Sequence, residues 1–483
     1  MKNLVAFTIL LFGFTLILQA QRVGTYYNET YRPQYHFTAE RNWMGDPAGL
    51  VFYGGEYHLF YRYNPRGTEP GYSQWGHAVS NNLVNWKHLP VAVFADNLSE
   101  DRDFCTAGPG SAVIDYNNLL GLQGGSEKTM VAFYTSHQCG QRIAYSNDRG
   151  RTWQKFAGNP VIPYDETDEA SSPKVFWYEP GNHWVMALYR RPDNDDRKRG
   201  ISFYNSVNLI SWEFKSHLPG FRGTPDLVEL KVNNRPEEKK WLLFEGDGSY
   251  VMGSFDGKVF IPESIRLKSD FGRNYYGSQT WNNIPASDGR VLQIAWMKDG
   301  EYPNMPFSGQ MTFPSELSLR RFNTGTFLIR QPARELSTLY GKTHKWEKQN
   351  LIPGLNSNLI KKVKGDLILI KGQFDLKTCD SFGLMLRMNK KVMGTELLYN
   401  VKRQTLSLLG QTVPLEPVDN KIYLEILIDR SSIEVYANNG RAVITNTFTP
   451  DENALEYLLY NTGGELMVDK LEIIELNSAW RSK

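Results

Sequence analysis

Short segments in which apolar and polar residues alternate follow one another along most of the chain. Residues 49–53 and 56–63 form such a pair, separated by Gly54 and Gly55. Alternation with a period of two predicts half-buried β-strands, and a Gly-Gly step between two of them predicts a hairpin. No long segment carries the apolar spacing of a helix. The pattern therefore predicts an almost wholly β protein.

A repeated unit appears in the first two thirds of the chain, consisting of a strand, a polar turn and a return strand anchored by Trp. Trp86, Trp153 and Trp212 close three copies, and residues 253–258 resemble a weaker fourth copy. Units of this kind are typical of β-propeller blades. At about 60 residues per unit, residues 25–330 have room for five blades.

The pattern changes near residue 330. Residues 331–349 are charged and polar with some helical character, which indicates a linker. Denser apolar alternation follows in residues 350–478, as in 423–428, and it is typical of a β-sandwich. We therefore expect an all-β fold, with a five-bladed β-propeller at 25–330 followed by a C-terminal β-sandwich.

Composition and charge exclude several classes of function. The 54 Lys and Arg residues nearly balance the 52 Asp and Glu residues, so no basic field is available to attract nucleic acid. The 12 Trp and 26 Tyr residues suit stacking on sugars, although β-proteins also use aromatic residues in their cores.

An export signal is predicted at the start of the chain. Residues 1–20 combine a basic start with an apolar run, the pattern of a signal peptide, although an uncleaved anchor is the alternative. No second apolar stretch of spanning length follows. We expect a secreted or periplasmic mature chain without a transmembrane segment.

The three cysteines provide neither a disulfide framework nor a metal-binding spacing. At most one bridge is possible. Cys105 and Cys139 are the best pair because both lie in the same stretch of short strands, whereas Cys379 is far along the chain. We expect no metal and no cofactor.

One segment carries candidate chemistry. Residues 43–49, Trp-Met-Gly-Asp-Pro-Ala-Gly, place Asp46 on a predicted Pro/Gly turn between aromatic-rich strands. They resemble the nucleophile motif Trp-Met-Asn-Asp-Pro-Asn-Gly of glycoside hydrolase family 32, which contains invertases, inulinases and levanases. Further motifs of that family are resembled by residues 57–65, 75–80 and 309–317, and the signature of its C-terminal sandwich by residues 428–436.

The resemblance implies a retaining hydrolase of fructans or related furanosides, with Asp46 as the catalytic nucleophile and an oligo- or polysaccharide as the substrate. The acids of residues 428–436 are interpreted as structural.

The resemblance also shows which site positions differ from the family pattern. Gly223 stands where the family motif Glu-Cys-Pro-Asp has its acid/base Glu, and Ser172 stands where the motif Arg-Asp-Pro has a third acid. Arg62 replaces a Gln that contacts substrate in the family. Retaining glycosidases need two carboxyl groups about 5 to 5.5 Å apart. We therefore expect weak or absent hydrolysis of sucrose, inulin and levan, and an increase when Glu is restored at 223 and Asp at 172.

Several residues are candidate substrate contacts or replacement acids. The expected substrate-binding residues are Trp43, Arg62, Trp75, Ser172, Arg222 and Asp226. Arginine suits carboxylate, sulfate or phosphate groups, although Arg62 is equally well explained by an ion pair, and Arg190 is a further candidate. The acids that a shifted loop could bring to the site are Asp101, Asp103, Asp165, Glu166, Asp168, Glu169, Glu245 and Asp247.

The sequence leaves three functional classes open. The first is a family 32 hydrolase with altered acids, the second a non-catalytic carbohydrate-binding protein, and the third a relative that acts on an anionic sugar through Arg62 and Arg222. Residues 146–153 also fit the Asp-box of sialidases, Ser-x-Asp-x-Gly-x-Thr-Trp. Sialidases repeat that box, and a single copy is interpreted as a turn.

Overall fold

The computed structural model describes residues 27–96, 105–353 and 358–480, so the predicted signal peptide lies outside the described residues. Regular structure in these ranges is almost wholly β. The helices are three short 3₁₀ turns, Glu179–Gly181, Pro192–Asn194 and Arg334–Leu339. Within the described ranges, no helix has the length and apolar character needed to cross a membrane.

The N-terminal region folds into five sheets, each built mainly from antiparallel strands that follow one another in the chain. The first contains β1 (Asn42–Tyr53), β2 (Glu56–Asn64), β3 (Gln74–Ser80) and β4 (Lys87–Val93). The second contains β5 (Ala107–Asp115), β6 (Thr129–Ser136), β7 (Gly140–Ser146) and β8 (Gln154–Lys155). The third contains β9 (Glu169–Tyr178), β10 (His183–Arg191), β11 (Gly200–Ser206) and β12 (Glu213–Pro219).

The fourth contains β13 (Asp226–Lys231), β14 (Lys239–Phe244), β15 (Ser249–Phe255), β16 (Phe260–Pro262) and β17 (Leu267–Lys268). The fifth contains β18 (Tyr276–Thr280), β19 (Val291–Trp296), β21 (Ser315–Phe322) and β22 (Gly325–Pro332), whereas β20 (Phe307–Ser308) joins the first sheet.

The first strands of the five sheets surround a common axis. Strand β1 packs on β5 and β18, β5 packs on β9, and β13 packs on β18. Strand β20 closes the ring by pairing in parallel with Asn42 and Trp43 of β1. This arrangement confirms the predicted five-bladed β-propeller.

A common turn explains the Trp-anchored repeats. The indole N–H groups of Trp86, Trp153 and Trp212 each donate to the carbonyl oxygen of the residue three positions earlier, at 3.0 to 3.1 Å. In the second copy, Asp148 accepts hydrogen bonds from the backbone N–H of Thr152 at 2.9 Å and from the Ser146 hydroxyl at 2.7 Å. The Asp-box segment therefore has a local role in shaping the turn.

The C-terminal region is a sandwich of two sheets. The six-stranded sheet contains β23 (Tyr340–Leu351), β24 (Ile368–Asp375), β29 (Lys421–Asp429), β30 (Ser432–Ala437), β31 (Ala442–Thr447) and β33 (Leu466–Leu476). The five-stranded sheet contains β25 (Ser381–Met388), β26 (Thr395–Asn400), β27 (Thr405–Leu408), β28 (Gln411–Pro414) and β32 (Glu456–Thr462). Alternate residues of both sheets, such as Ile426 and Leu384, are buried between them.

Residues 331–349 differ from the linker that we predicted. Strand β22 ends at Pro332, and after one short 3₁₀ helix β23 begins at Tyr340 and pairs with β33. Most side chains of β23 are exposed because it is the edge strand of its sheet. Its polar composition therefore resembles that of a linker although the segment belongs to the sandwich.

A buried charged cluster joins the two domains. His36 precedes the first propeller strand, and its Nδ1 and Nε2 lie 2.8 and 2.7 Å from carboxylate oxygens of Asp429 and Glu434. Asp429 also accepts the backbone N–H of Gln34 at 2.9 Å, and Glu434 that of Phe313 at 2.8 Å. Burial opposes protonation of His36, but the two carboxylates outweigh it and raise its pKa to about 9. These acids are thus structural in this protein.

The predicted bridge between Cys105 and Cys139 is present. It ties the segment before β5 to the turn between β6 and β7. Cys379 is a free, buried cysteine.

Candidate functional site

Four of the innermost strands carry a pairing irregularity near their N-terminal ends. In β1, Gly45 and Asp46 together lie opposite Arg62, which makes a β-bulge. Comparable shifts occur at residues 108–109 of β5, 172–173 of β9 and 277–278 of β18. A bulge bends its strand and redirects a side chain. Asp46 therefore lies in a bulge at one end of the propeller axis, within a strand, and not on the turn that we predicted.

The Asp46 carboxylate is nearly buried and paired with a guanidinium. Its side chain is 2% exposed, and its Oδ1 lies 3.3 Å from Nη1 of Arg62. Arg62 also donates from Nε to the Ser73 hydroxyl at 3.3 Å, and its guanidinium lies 5.3 Å from the Trp43 ring centroid. Because the Arg62 side chain remains 29% exposed, it pairs with Asp46 and also faces solvent.

The two predicted tryptophan contacts do not present flat faces to a ligand. Trp75 is completely buried, and its indole N–H donates to the carbonyl oxygen of Gly108 at 2.7 Å, so the predicted substrate contact is wrong. Trp43 is 4% exposed and packs edge-on against Trp296. A Cβ on Gly45 would lie 2.5 Å from the Trp43 ring. The ring therefore leaves no room for the Asn that the family motif has at this position.

Asp226 is also buried, which contradicts its prediction as a substrate contact. Its Oδ1 lies 2.8 Å from the Lys174 ammonium, and its Oδ2 accepts the backbone N–H of Thr280 at 2.7 Å. Lys174 donates in turn to the carbonyl oxygen of Thr280 at 3.0 Å. These bonds tie β9, β13 and β18 together below the site. A buried carboxylate needs such partners, and they make Asp226 structural.

Ser172 and Gly223, the residues that we predict to replace two family acids, both adopt left-handed backbone conformations. Ser172 has a φ of 60°, is 5% exposed, and donates its backbone N–H to the Thr135 hydroxyl at 2.8 Å. Gly223 has a φ of 70°, and a Cβ there would lie 3.3 Å from the Tyr276 hydroxyl and 3.4 Å from Cα of Gly246. Glycine alone adopts this conformation without cost. The backbone at 223 is therefore fitted to the absence of a side chain.

Tyr276, which is not among the predicted residues, stands beside the carboxylate. A Cβ on Gly277 would lie 2.7 Å from Cβ of Asp46, and the Gly277 N–H donates to the Gly246 carbonyl oxygen at 2.7 Å. Burial and the negative charge of Asp46 raise the pKa of the Tyr276 hydroxyl, which therefore stays protonated. The Lys298 ammonium lies 4.6 Å from its ring centroid. The sequence signal that could have identified Tyr276 is a pair of tyrosines directly before a glycine, at the start of the innermost strand of the fifth blade.

Most of the proposed replacement acids are engaged elsewhere. Ion pairs join Asp168 to Arg190, Glu169 to Arg191 at 2.9 Å, and Glu245 to Arg266 at 2.6 Å. Asp165 accepts hydrogen bonds within its own loop from Thr167, and Glu166 is exposed. Burial raises the pKa of Glu245 in spite of its arginine partner. Asp101 and Asp103 lie outside the described residues.

Asp247 is the exception among these acids. It is exposed and adjoins Gly246, and its charge acts on Tyr276 together with that of Asp46. Arg222 is also exposed, and within the described ranges its side chain has no ion-pair partner. The groups around Asp46 and Tyr276 thus include three cations, Arg62, Arg222 and Lys298, and the exposed carboxylate of Asp247.

The fold and the carboxylate at the propeller axis define a glycosidase-type propeller protein. Two family models match the chain, that of the glycosyl hydrolases family 32 N-terminal domain over residues 36–332 and that of the family 32 C terminal over residues 335–475. The chain therefore belongs to glycoside hydrolase family 32, which confirms the resemblance.

Individual relatives agree with this assignment. The chain is 38% identical to a levanase of Bacillus subtilis (strain 168), over 99% of this chain and 75% of the levanase. It is 28% identical to an extracellular exo-inulinase of Aspergillus awamori, over 94% of this chain and 96% of that protein. A crystal structure of exo-inulinase from Aspergillus awamori matches with a TM-score of 0.84 and 27% identity, over 94% of this chain and 100% of that chain.

Proposed function

We propose that this protein is an exported glycoside hydrolase that acts on fructans or related β-fructofuranosides through a remodelled active site. The observation that carries the proposal is the position of Asp46, in a bulge of the innermost strand β1, with its carboxylate oriented by Arg62 at 3.3 Å. Its support is the match of nearly the whole chain to a levanase and an extracellular exo-inulinase. The substrate class named for both relatives, and the extracellular location named for the exo-inulinase, are extended here to this chain.

The proposed mechanism is retaining. Asp46 attacks the anomeric carbon of the fructosyl unit, and the bond to the leaving-group oxygen breaks as a covalent fructosyl ester forms. Water then hydrolyses the ester. Both steps need a group that first gives a proton to the leaving oxygen and then takes one from water. Gly223 cannot do this.

Asp247 is the carboxyl best placed to take over the acid/base role. It adjoins Gly246, whose carbonyl oxygen accepts the N–H of Gly277 directly beside Asp46. One Asp247 oxygen accepts the backbone N–H of Ser249 at 2.9 Å, which leaves the other oxygen for the substrate. Because this carboxylate is exposed, the protein does not shield it from water as it shields a buried side chain, and we expect its contribution to be small.

Arg62 further slows the reaction. The transition state of glycoside hydrolysis carries positive charge on the sugar ring. A guanidinium 3.3 Å from the nucleophile attracts the same carboxylate that must stabilise that charge. We therefore expect turnover of unactivated fructans below that of family members with all three acids, by on the order of 10² to 10⁴ from the missing acid alone.

The test is fructose release from levan, inulin and sucrose by the full chain, together with an aryl β-fructofuranoside. The aryl group leaves without protonation, so formation of the fructosyl ester bypasses the missing acid, whereas hydrolysis of the ester still needs the base. We expect a fast initial release of about one aryl group per protein molecule, slow cleavage of fructans, and loss of both in Asp46→Asn. Asp247→Asn is expected to lower fructan cleavage by about tenfold or more and to spare the initial aryl release. Glu245→Gln, at a neighbouring carboxyl held by Arg266, is the matched control and should change neither.

A non-catalytic carbohydrate-binding protein is the second candidate. It is favoured by the surroundings of Asp46, because a retaining hydrolase needs a second carboxyl close to the first. Within the described ranges, the only ion-pair or hydrogen-bond partner of the Asp46 side chain is Arg62. Fructan binding in a calorimeter without cleavage of any substrate, including the aryl compound, would establish this candidate and refute the hydrolase. Preference for an anionic sugar, lost in Arg222→Ala, would instead establish the third class.

A further inference from the structure

A cavity lies at the opposite end of the propeller from Asp46. Its volume is about 500 Å³, within the range of small-molecule sites. It is formed by the ends of β5 and β9, the turn after β5 and the residues after β18. Along β9, Ser172 at the first site and Trp177 at this cavity are separated by about 17 Å at the usual rise of a strand. The cavity is therefore separate from the site at Asp46.

The polar groups of the cavity do not suit an anionic ligand. Its lining contains two acids, Asp115 and Glu179, and neither Lys nor Arg. Asp115 is already satisfied, because its two oxygens accept the backbone N–H groups of Leu119 and Leu120 at 2.9 Å. The remaining polar lining is mostly Asn. Amides and a carboxylate without a cation match the hydroxyl groups of a neutral ligand.

Two aromatic side chains in the lining are accessible and fixed in place. Tyr116 is 49% exposed, and its hydroxyl donates to the Asn283 side-chain oxygen at 3.2 Å. Trp177 is half-buried, and its indole N–H donates to the Glu179 carboxylate at 2.6 Å. Rings held in this way present an apolar body with a polar tip, which suits stacking on a sugar.

Some polar groups of the lining lack partners within the protein. The side chains of Asn117 and Asn182 form no hydrogen bonds within the described ranges. Both amides are exposed and are thus free to bond a ligand.

We infer that this cavity is a second, non-catalytic site that binds a neutral oligosaccharide. Aromatic rings stack on the sugar, and the amides and the Glu179 carboxylate bond its hydroxyl groups. The inference does not depend on the reaction at Asp46. It gives the protein a hold on a polysaccharide at the face opposite the site that would cleave it.

The test is calorimetry on the full chain with Asp46→Asn as background, which stops hydrolysis at the first site. The probes are inulin- and levan-derived oligosaccharides, cello-oligosaccharides as other neutral glycans, and oligogalacturonate as an anionic one. Tyr116→Ala removes the exposed ring. Asn182→Gly removes one amide at a residue whose φ of 50° glycine adopts freely, so the fold is preserved. Phe214→Ala, at a side chain 53% exposed on strand β12, is the matched control.

We expect a neutral oligosaccharide to bind, and each of the two cavity variants to weaken that binding by on the order of tenfold. Phe214→Ala, which lies away from the cavity, should leave it unchanged. The inference is overturned if no neutral glycan binds, if the binding is insensitive to Tyr116→Ala and Asn182→Gly, or if the cavity binds oligogalacturonate in preference. Absence of cleavage of every substrate by the wild-type chain, with this binding intact, would refute the proposed hydrolase alone.

Discussion

Replacing His36 by Gln should destabilise the protein in a pH-dependent way. The cation of His36 lies between the buried carboxylates of Asp429 and Glu434, at 2.8 and 2.7 Å. Its removal leaves two carboxylates at the domain junction without a positive partner, a change that typically costs about 3 to 5 kcal/mol. The pKa of His36 rises from 6.5 to about 9 on folding, which corresponds to about 3 kcal/mol of stability from its protonation.

The direction of the pH dependence follows from the raised pKa. Because the folded protein binds the His36 proton more tightly than the unfolded chain, the stabilisation is complete below about pH 6.5 and is lost as the pH rises through about 9. Urea unfolding of the wild type and of His36→Gln between pH 6 and pH 10 measures the effect. The difference in free energy of unfolding should be largest at pH 6 and should shrink by about 3 kcal/mol by pH 10.

His77→Gln is the control for this prediction. His77 is also buried, but burial and the neighbouring His58 hold its pKa well below the usual value, so it is neutral above pH 7. Its replacement should add no pH-dependent difference between pH 7 and pH 10. If the difference in free energy of unfolding between the wild type and His36→Gln is constant from pH 6 to pH 10, then His36 is neutral in the folded protein. Its contacts with Asp429 and Glu434 would then not be ion pairs.

Further substitutions probe the first site and its surroundings. The double variant Gly223→Glu with Ser172→Asp should raise fructose release from levan by about tenfold, which is less than the 10² to 10⁴ expected of a well-placed acid. It should also lower the free energy of unfolding by about 1 to 2 kcal/mol, because the backbone at residue 223 is left-handed. An unchanged rate would show that the acid lies elsewhere. Arg62→Gln should increase fructan cleavage by freeing the nucleophile, and a fall in rate would show that Arg62 holds the substrate. Cys105→Ser with Cys139→Ser should lower the free energy of unfolding by about 2 to 4 kcal/mol, and an unchanged urea midpoint would refute this.

The fold could be predicted because its signals are local. Trp86, Trp153 and Trp212 each close a turn with a hydrogen bond three residues back, so one local pattern recurs in each copy. The linker prediction failed because the signal that defines this segment is not local. An edge strand such as β23 exposes most of its side chains, and its burial depends on pairing with β33 at the far end of the chain.

The site was less predictable because it depends on contacts between distant segments. Asp46 could be identified from its motif, but its partner Arg62 faces it only through a bulge whose register the sequence does not show. Trp75 and Asp226 stand in family motifs and are nevertheless buried, because motif membership does not distinguish packing from substrate contact. Tyr276 lies outside the family motifs that we recognised in the sequence, and it was therefore not predicted as a site residue.

Gly223, at the predicted acid/base position, belongs to a group of closely packed glycines beside Asp46, which argues against simple loss of a side chain. Gly223, Gly246 and Gly277 come from three separate segments, and their backbones meet because the Gly277 N–H donates to Gly246 and the Gly246 N–H donates to Arg222. A Cβ on Gly246 would lie 3.1 Å from the Tyr276 ring, and one on Gly277 would lie 2.7 Å from Asp46. The space beside Asp46 is thus filled by backbone and by one phenol. A carboxyl restored at 223 enters this wall only if Gly246 or Tyr276 moves, so the rate gained by reversion is limited by packing as well as by chemistry.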